Sequence, residues 1–284
     1  MKITLAKTAG FCFGVERAVN TVYKQVDKDS GCQIYTYGPI IHNQEVIKDM
    51  ENKGIIVLTD EEDLKQIENG IVIIRSHGVS KQIYELLAKK GIECVDATCP
   101  YVKKIHRIVA EQKEAGRKII IIGNAAHPEV EGIIGWADGE ASVISSPEEA
   151  GSICFPENEK VCIVAQTTFN YNKFEELVEI LREKRYDIIV LNTICSATKA
   201  RQTEAKRIAE ESDAMIVIGD KHSSNTQKLF EICKNACKNT YYIQTLEDLE
   251  LNQLGSVTTV GITAGASTPK NIIEEVQNNV RINF

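Results

Sequence analysis

The chain has no apolar stretch long enough to cross a membrane, and its start, MKITLAKTAG, has no signal-peptide core. It has no surplus of positive charge. Forty acidic residues against 33 basic ones give a net charge of −7 and an isoelectric point near 5.4. That excludes a general nucleic-acid binder, and an anionic ligand would need a local nest of donors because the overall field repels it. There is no CxxC-type pair, and nine cysteines is an odd number. Neither a secreted disulfide framework nor a zinc site of the usual paired-ligand kind is therefore expected. A reducing cytoplasm is the expected compartment. GxxxxGK[ST] and GxGxxG are both missing, so neither a P-loop nor a dinucleotide fingerprint is supported. No low-complexity linker interrupts the 284 residues, so its parts are expected to pack closely.

What remains is ordinary in bulk and regular in pattern. Apolar residues make up 43% and charged residues 26%, enough for a large core and two or three domains. Continuous branched runs recur at 70–75, 118–123, 160–165, 214–219 and 257–262. Unbroken apolar runs of this length read as strands covered on both faces, hence parallel sheets. Helical periodicity lies between them, at 101–115, 172–185 and 197–211. The fold class is α/β, with right-handed crossovers. The chain divides near residues 97 and 193 into three similar modules with small parallel sheets, 1–97, 98–193 and 194–284. Residues 1–13 are also able to pack with the third. The charge clusters at 59–63 and 156–160 read as solvated surface.

Three cysteines share one local setting. Cys12, Cys99 and Cys195 each follow a strand-like run (3–5, 91–95 and 188–191) and a short turn, and each directly precedes a helical stretch. Helix-end dipoles there favour the thiolate. Three thiolates that converge suit zinc with an open position or an iron–sulfur cluster, and the lack of a close pair favours the cluster. With three ligands, one iron of a cubane stays open to substrate. The other six, Cys32, Cys94, Cys154, Cys162, Cys233 and Cys237, read as small buried hydrophobes.

Polar motifs gather at the same strand ends. His42, His77 and His127 follow strands at 34–37, 71–74 and 119–122, and Gln166-Thr167-Thr168, His222-Ser223-Ser224-Asn225 and Ala264-to-Pro269 each follow another. Ligands in α/β sheets collect at the carboxyl ends of strands, against helix N-termini. Imidazole, hydroxyl, amide and backbone donors together suit phosphate oxygens, and Ser223, Asn225 and Ser267 can cap helices at the same time. His106, in mid-helix, reads as structural or surface. A carboxyl such as Glu129, among anion-binding groups, makes electrostatic sense only if it is protonated or transfers protons. Thr167 is placed to hold substrate or pass a proton. If the three modules turn these edges inward, one enclosed polar site results.

These motifs in order, AGFCFGV at 9–15, RSHG at 75–78, DATCP at 96–100, AHPEV at 126–130, QTT at 166–168, TIC and AT at 193–198 and SSN at 223–225, resemble the 4-hydroxy-3-methylbut-2-enyl diphosphate reductase family. The resemblance runs from residue 3 to about 270. It implies three α/β modules around a central 4Fe-4S cluster held by Cys12, Cys99 and Cys195, the fourth iron taking the substrate's allylic hydroxyl. It implies that His42, His77, His127, Ser223, Ser224, Asn225 and Ser267 hold the diphosphate. Glu129 would deliver protons, with Thr167 relaying or orienting. Two electrons, from a donor such as ferredoxin or flavodoxin, would release water and give isopentenyl and dimethylallyl diphosphates, the last step of the non-mevalonate isoprenoid pathway. The form expected is the stand-alone one, without an appended RNA-binding domain. Three rivals stay open on the residues alone: a three-cysteine cluster hydro-lyase, an iron–sulfur electron carrier or sensor, and a metal-free phosphate pocket.

Overall fold

A computed structural model describes residues 1–28, 31–250 and 257–283. The chain opens with β1 (Lys2–Leu5) and α1 (Phe13–Asp27). A first run follows: β2 (Ile34–Tyr37), α2 (Gln44–Asn52), β3 (Ile56–Leu58), α3 (Glu61–Gln66), β4 (Ile71–Ile74), α4 (Lys81–Lys90), β5 (Glu93–Asp96) and α5 (Pro100–Glu114). The second run repeats it: β6 (Lys118–Ile122), α6 (Pro128–Trp136), β7 (Ala141–Ile144), α7 (Pro147–Ser152), β8 (Lys160–Ala165), α8 (Tyr171–Arg182), β9 (Asp187–Val190) and α9 (Ser196–Glu210). The third is shorter: β10 (Ala214–Ile218), α10 (Ser224–Ala236), β11 (Thr240–Ile243), β12 (Thr259–Ala264) and α11 (Lys270–Asn283).

Three parallel four-stranded sheets result, ordered β3-β2-β4-β5, β7-β6-β8-β9 and β11-β10-β12-β1. The three orders are one pattern. In each run the first and third strands take the centre and the second takes one edge. Among the described residues the third run has no fourth strand of its own, and β1 fills that edge against β12, with Lys2 opposite Thr259 and Leu5 opposite Ile262. Each module thus ends on an edge strand, β5, β9 or β1, that leads into Cys99, Cys195 or Cys12.

The chain separates into two compact units. One comprises Arg17–Ile41 and Asp49–Cys195, and holds the first two sheets. Among its central strands, β4 is buried from Ile71 to Ile74 and β8 from Val161 to Ala165. Both faces of the second sheet are used, as an apolar run without alternation requires. Ile120, Ile122, Val161 and Ile163 meet Phe174, Leu177, Val178 and Leu181, a stripe of α8 at helical spacing. Ile119, Ile121, Cys162 and Val164 meet Ile105 and Val109 of α5 with Val130 and Ile133 of α6. Truncating one of these isoleucines to alanine would cost about 2–5 kcal/mol. The second unit, Met1–Glu16, His42–Lys48 and Ser196–Phe284, holds the third sheet. There Ile216, Ile218, Val260 and Ile262 pack on Ile272, Ile273, Val276 and Val280 of α11.

Some expectations shift. The strand expected from residue 91 begins at Glu93, because Gly91 ends α4 in the left-handed region (φ 68°) with its amide on the Leu87 and Ala88 carbonyls. The acidic cluster at 59–63 is exposed, and it is also the start of α3: Asp60 accepts from the Asp63 amide, and Asp63 accepts from Thr59. Cys162, Cys233 and Cys237 are buried as read, but Cys32, Cys94 and Cys154 are exposed. Cys94 lies on the edge strand β5, and the other two lie outside helices and strands, where no second layer covers them.

Candidate active site

In the first unit the site is built on one buried carboxyl. Glu129 lies in the first turn of α6 and is 2% exposed. Its Oε1 accepts from the Thr167 amide at 2.6 Å and its Oε2 from the Thr167 hydroxyl at 2.7 Å. Those bonds favour the charged form, yet burial outweighs them and pushes the carboxyl up to about 7. A group half-protonated near neutrality, with a hydroxyl seated on it, is suited to giving and taking protons.

The same helix start orients a histidine. His127 is the N-cap of α6, and its Nδ1 accepts from the Glu129 amide at 3.1 Å. An accepting Nδ1 places the ring proton of the neutral imidazole on Nε2, so His127 presents a donor. His77 packs edge-on against it, ring centroids 5.4 Å apart at 78°. The turn that carries His77 is clamped from below. Gly78 has φ +72°, and a Cβ there would stand 2.6 Å from His106 Cε1. His106 is 4% exposed and stacks on Trp136 at 5.2 Å, while Trp136 Nε1 donates to the Val79 carbonyl at 3.0 Å. Trp136 ends the helix that His127 and Glu129 begin, so α6 braces the His77 turn at one end and carries the acid at the other. The structural reading of His106 holds, and burial pushes its imidazole down to about 4.

In the second unit the donors cluster likewise. Ser223, Asn225 and Ser267 are each 4–6% exposed. Ser223 caps α10 by accepting from the Thr226 amide at 3.3 Å, and its hydroxyl lies 3.4 Å from that of Ser267. Asn225 Oδ1 accepts from the Ala266 amide at 3.0 Å, leaving its NH2 to donate elsewhere. Ser224, the first residue of α10, is half-buried, and His222 is exposed. His42 is half-buried and belongs to the segment His42–Lys48 of this unit. Two residues on, the Gln44 amide donates to Asp220 Oδ2 at 3.2 Å, and Asp220 Oδ1 accepts from the His222 amide at 2.7 Å.

The cysteines repeat one device. Cys12, Cys99 and Cys195 are half-buried and stand immediately before α1, α5 and α9. Each amide donates to a carbonyl in the loop of the neighbouring strand: Cys12 to Ala266 (3.3 Å), Cys99 to Ser76 (2.9 Å) and Cys195 to Thr167 (3.0 Å). Each ligand candidate is thereby tied to a loop holding Ser267, His77 or Thr167. Elsewhere, burial pushes the thiols of Cys162 and Cys233 up to about 11 and about 12. Cys12, Cys99 and Cys195 each set at a helix start a sulfur donor of the kind an iron–sulfur group takes.

Two polar residues at these edges were not singled out from sequence. Asp220, 1% exposed, ties the His42 segment to the Ser223 loop. Arg201, 3% exposed, donates to the carbonyls of Ala264 (2.7 Å) and Gly10 (2.9 Å), fastening the Cys12 turn to the Ser267 turn. The available signal for Arg201 was its place in a buried stripe of α9, with Thr198, Gln202, Ala205 and Ile208 at helical spacing. Asp220 carried no such signal.

The family model described as LytB protein matches residues 3–281. A 4-hydroxy-3-methylbut-2-enyl diphosphate reductase of Thermoanaerobacter sp. (strain X514) is 49% identical over 281 residues, 99% of this chain and 97% of its own. The solved E-1-hydroxy-2-methyl-but-2-enyl-4-diphosphate reductase from Plasmodium falciparum superposes with a TM-score of 0.92 at 32% identity, over 98% of this chain and 87% of that one. A second solved structure, (E)-4-hydroxy-3-methyl-but-2-enyl diphosphate reductase, described as the terminal enzyme of the non-mevalonate pathway, gives 0.70 at 41% identity, over 99% and 100%. Motif order, sheet pattern and full-length similarity converge, and the chain belongs to the LytB protein family.

Proposed function

We propose that this chain removes the allylic hydroxyl of 4-hydroxy-3-methylbut-2-enyl diphosphate reductively, giving isopentenyl and dimethylallyl diphosphates, the last step of the non-mevalonate isoprenoid pathway. Members of the family are iron–sulfur enzymes. The cofactor proposed is a 4Fe-4S group held by Cys12, Cys99 and Cys195, with one iron lacking a cysteine ligand. When bound, that group supplies electrons and a Lewis-acidic iron for the departing oxygen. The reaction consumes two electrons and two protons: the C–O bond breaks, water leaves and a C–H bond forms.

The chain's own residues do the rest. His42, His77, His127, Ser223, Ser224, Asn225 and Ser267 donate to the diphosphate, whose binding energy orients the reacting carbon. His127 donates through Nε2, because the Glu129 amide occupies Nδ1. Glu129 holds the proton and Thr167 orients it, their two hydrogen bonds fixing the carboxyl plane. Protonation at either end of the allylic unit accounts for two products. The chain divides near 97 and 193 into three modules in this reading, the first residues joining the third. The electron donor is a low-potential carrier of the ferredoxin or flavodoxin kind, and the compartment is a reducing cytoplasm.

The Glu129–Thr167 pair carries the reading, since a buried carboxyl near pKa 7 on an anion-binding edge has proton transfer as its use. The test is anaerobic turnover of reconstituted protein with a low-potential reductant. Formation of both five-carbon diphosphates, lost in Cys12→Ser, supports it. An intact, coloured protein that consumes no substrate sinks it.

A further inference from the structure

Electrons must reach a redox group from outside, so the surface around the cysteines is as much part of the chemistry as the substrate loops. Among the described residues, five large apolar side chains are exposed, and two of them lie just after ligand candidates: Phe13, 66% exposed, next to Cys12, and Tyr101, 42% exposed, two residues after Cys99. Exposed aromatics on a surface are a common mark of a protein contact.

Charge distinguishes the helices that begin at these cysteines. α1 carries Glu16 in its first turn, and α9 carries Glu204 in its third. α5 has no acid before Glu111, and its exposed side presents Pro100, Tyr101, Lys103, Lys104 and Arg107. Lys103 is partly neutralised by Asp96 at 2.6 Å and Arg107 by Glu111 at 3.6 Å, while Lys104 makes no ion pair among the described residues. Arg17 adds a further cation at the same turn, donating to the carbonyls of Thr98 (3.1 Å) and Asp96 (3.3 Å). The positive end of the α5 dipole points the same way. A net charge of −7 repels an acidic protein as a whole, so a locally basic face is where such a partner is steered.

We propose that the exposed face of the first two turns of α5, centred on Tyr101, Lys104 and Arg107, is the docking surface for a small acidic one-electron carrier protein, delivering electrons toward Cys99. The inference rests on the reductase reading above. Two encounters serve one turnover, each carrier being oxidised by one electron, and the two protons come from solvent through the site. On this face Tyr101 stands two residues of main chain from Cys99.

The test compares two reductants on the reconstituted holoenzyme carrying Lys104→Glu and Arg107→Glu together. Reduced viologen needs no docking surface; a reduced ferredoxin or flavodoxin does. With the carrier, the double variant should show a rise of about tenfold or more in KM and in the dissociation constant at low salt. The difference should shrink as ionic strength rises toward 0.5 M, because the Debye length shortens. Viologen-driven turnover should match the wild type. Unchanged carrier kinetics overturn the proposal. So does a parallel loss with both reductants, which would put these side chains in the fold or the site instead. Docking is also scored by the rate at which the carrier bleaches the visible absorbance. A wild type that is bleached by both reductants yet forms no product would sink the functional reading and leave the docking surface standing.

Discussion

Glu129→Gln separates catalysis from stability in one substitution. The wild-type carboxyl is pushed from 4.5 to about 7 in the folded chain, chiefly by burial. Between those values the unfolded chain has lost its proton while the folded chain keeps it, so folding takes up a proton. The contribution of Glu129 to stability is therefore fullest below pH 4.5, falls as pH rises through 7, and is flat above. Two and a half units at about 1.36 kcal/mol each correspond to about 3 kcal/mol. Glutamine has no such titration. It still offers an oxygen to the Thr167 amide, and its NH2 can donate to the Thr167 hydroxyl, so the geometry of the pair survives. Relative to wild type, the variant should thus gain stability on going from pH 4.5 to pH 8, by an amount approaching 3 kcal/mol, or roughly 5–10 °C in Tm. Turnover should fall by about 10²–10⁴, the usual share of a positioned proton donor, with substrate affinity nearly kept. The assays are thermal melts at several pH values and single-turnover reduction under anaerobic conditions. Parallel Tm–pH curves for the two proteins, or normal turnover in the variant, would refute the reasoning.

Three other changes probe other parts of the structure. Thr167→Val removes the hydroxyl that favours ionised Glu129, so the alkaline limb of the pH–rate profile should move up by about one to two units; a limb that stays or moves down contradicts that role. His106→Phe keeps a ring under Gly78 and on Trp136 but removes a site whose pKa falls from 6.5 to about 4. The contribution of His106 to stability is full above pH 6.5 and is lost as pH falls toward 4, so at this position the variant should resist acid better by about 3 kcal/mol, read from denaturant midpoints at pH 4 and 7. Serine at Cys12, Cys99 or Cys195 should abolish the visible absorbance of anaerobically reconstituted protein, whereas Cys94→Ala or Cys154→Ala should leave it unchanged; colour loss in the last two would reassign the ligands.

Much of the fold was legible because parallel sheets write themselves in unbroken apolar runs. Ile71–Ile74, Lys118–Ile122 and Ala214–Ile218 stand out without any knowledge of their neighbours. Strand order is a different matter. That β1 completes the last sheet depends on pairing across more than 250 residues, and four residues, KITL, carry little to say so. Exposure of cysteines was misread for the same kind of reason. Whether Cys94 is covered depends on β5 being an edge strand, a fact of topology and not of composition.

The site was legible where chemistry sits on the strand-end loop itself, and illegible where it acts through a neighbour. His127, Glu129 and Thr167 announce themselves by type and place. Trp136, His106, Asp220 and Arg201 do not, because each works on main-chain atoms of another segment: the Val79 carbonyl, the Gly78 turn, the Gln44 amide, the Gly10 and Ala264 carbonyls. The cysteine amides belong to this second class as well. The amides of Cys12, Cys99 and Cys195 donate to the carbonyls of Ala266, Ser76 and Thr167, so each candidate ligand turn is clipped to a loop that carries a candidate donor. One hydrogen bond per module therefore sets the cysteine and the donor loop relative to each other. Side-chain identity determines what the edge can do, and these clips between adjacent strands determine that ligand and donor loop are placed together. That division explains why residue types alone were enough to indicate the reaction, while the parts that hold it in register emerged only from the fold.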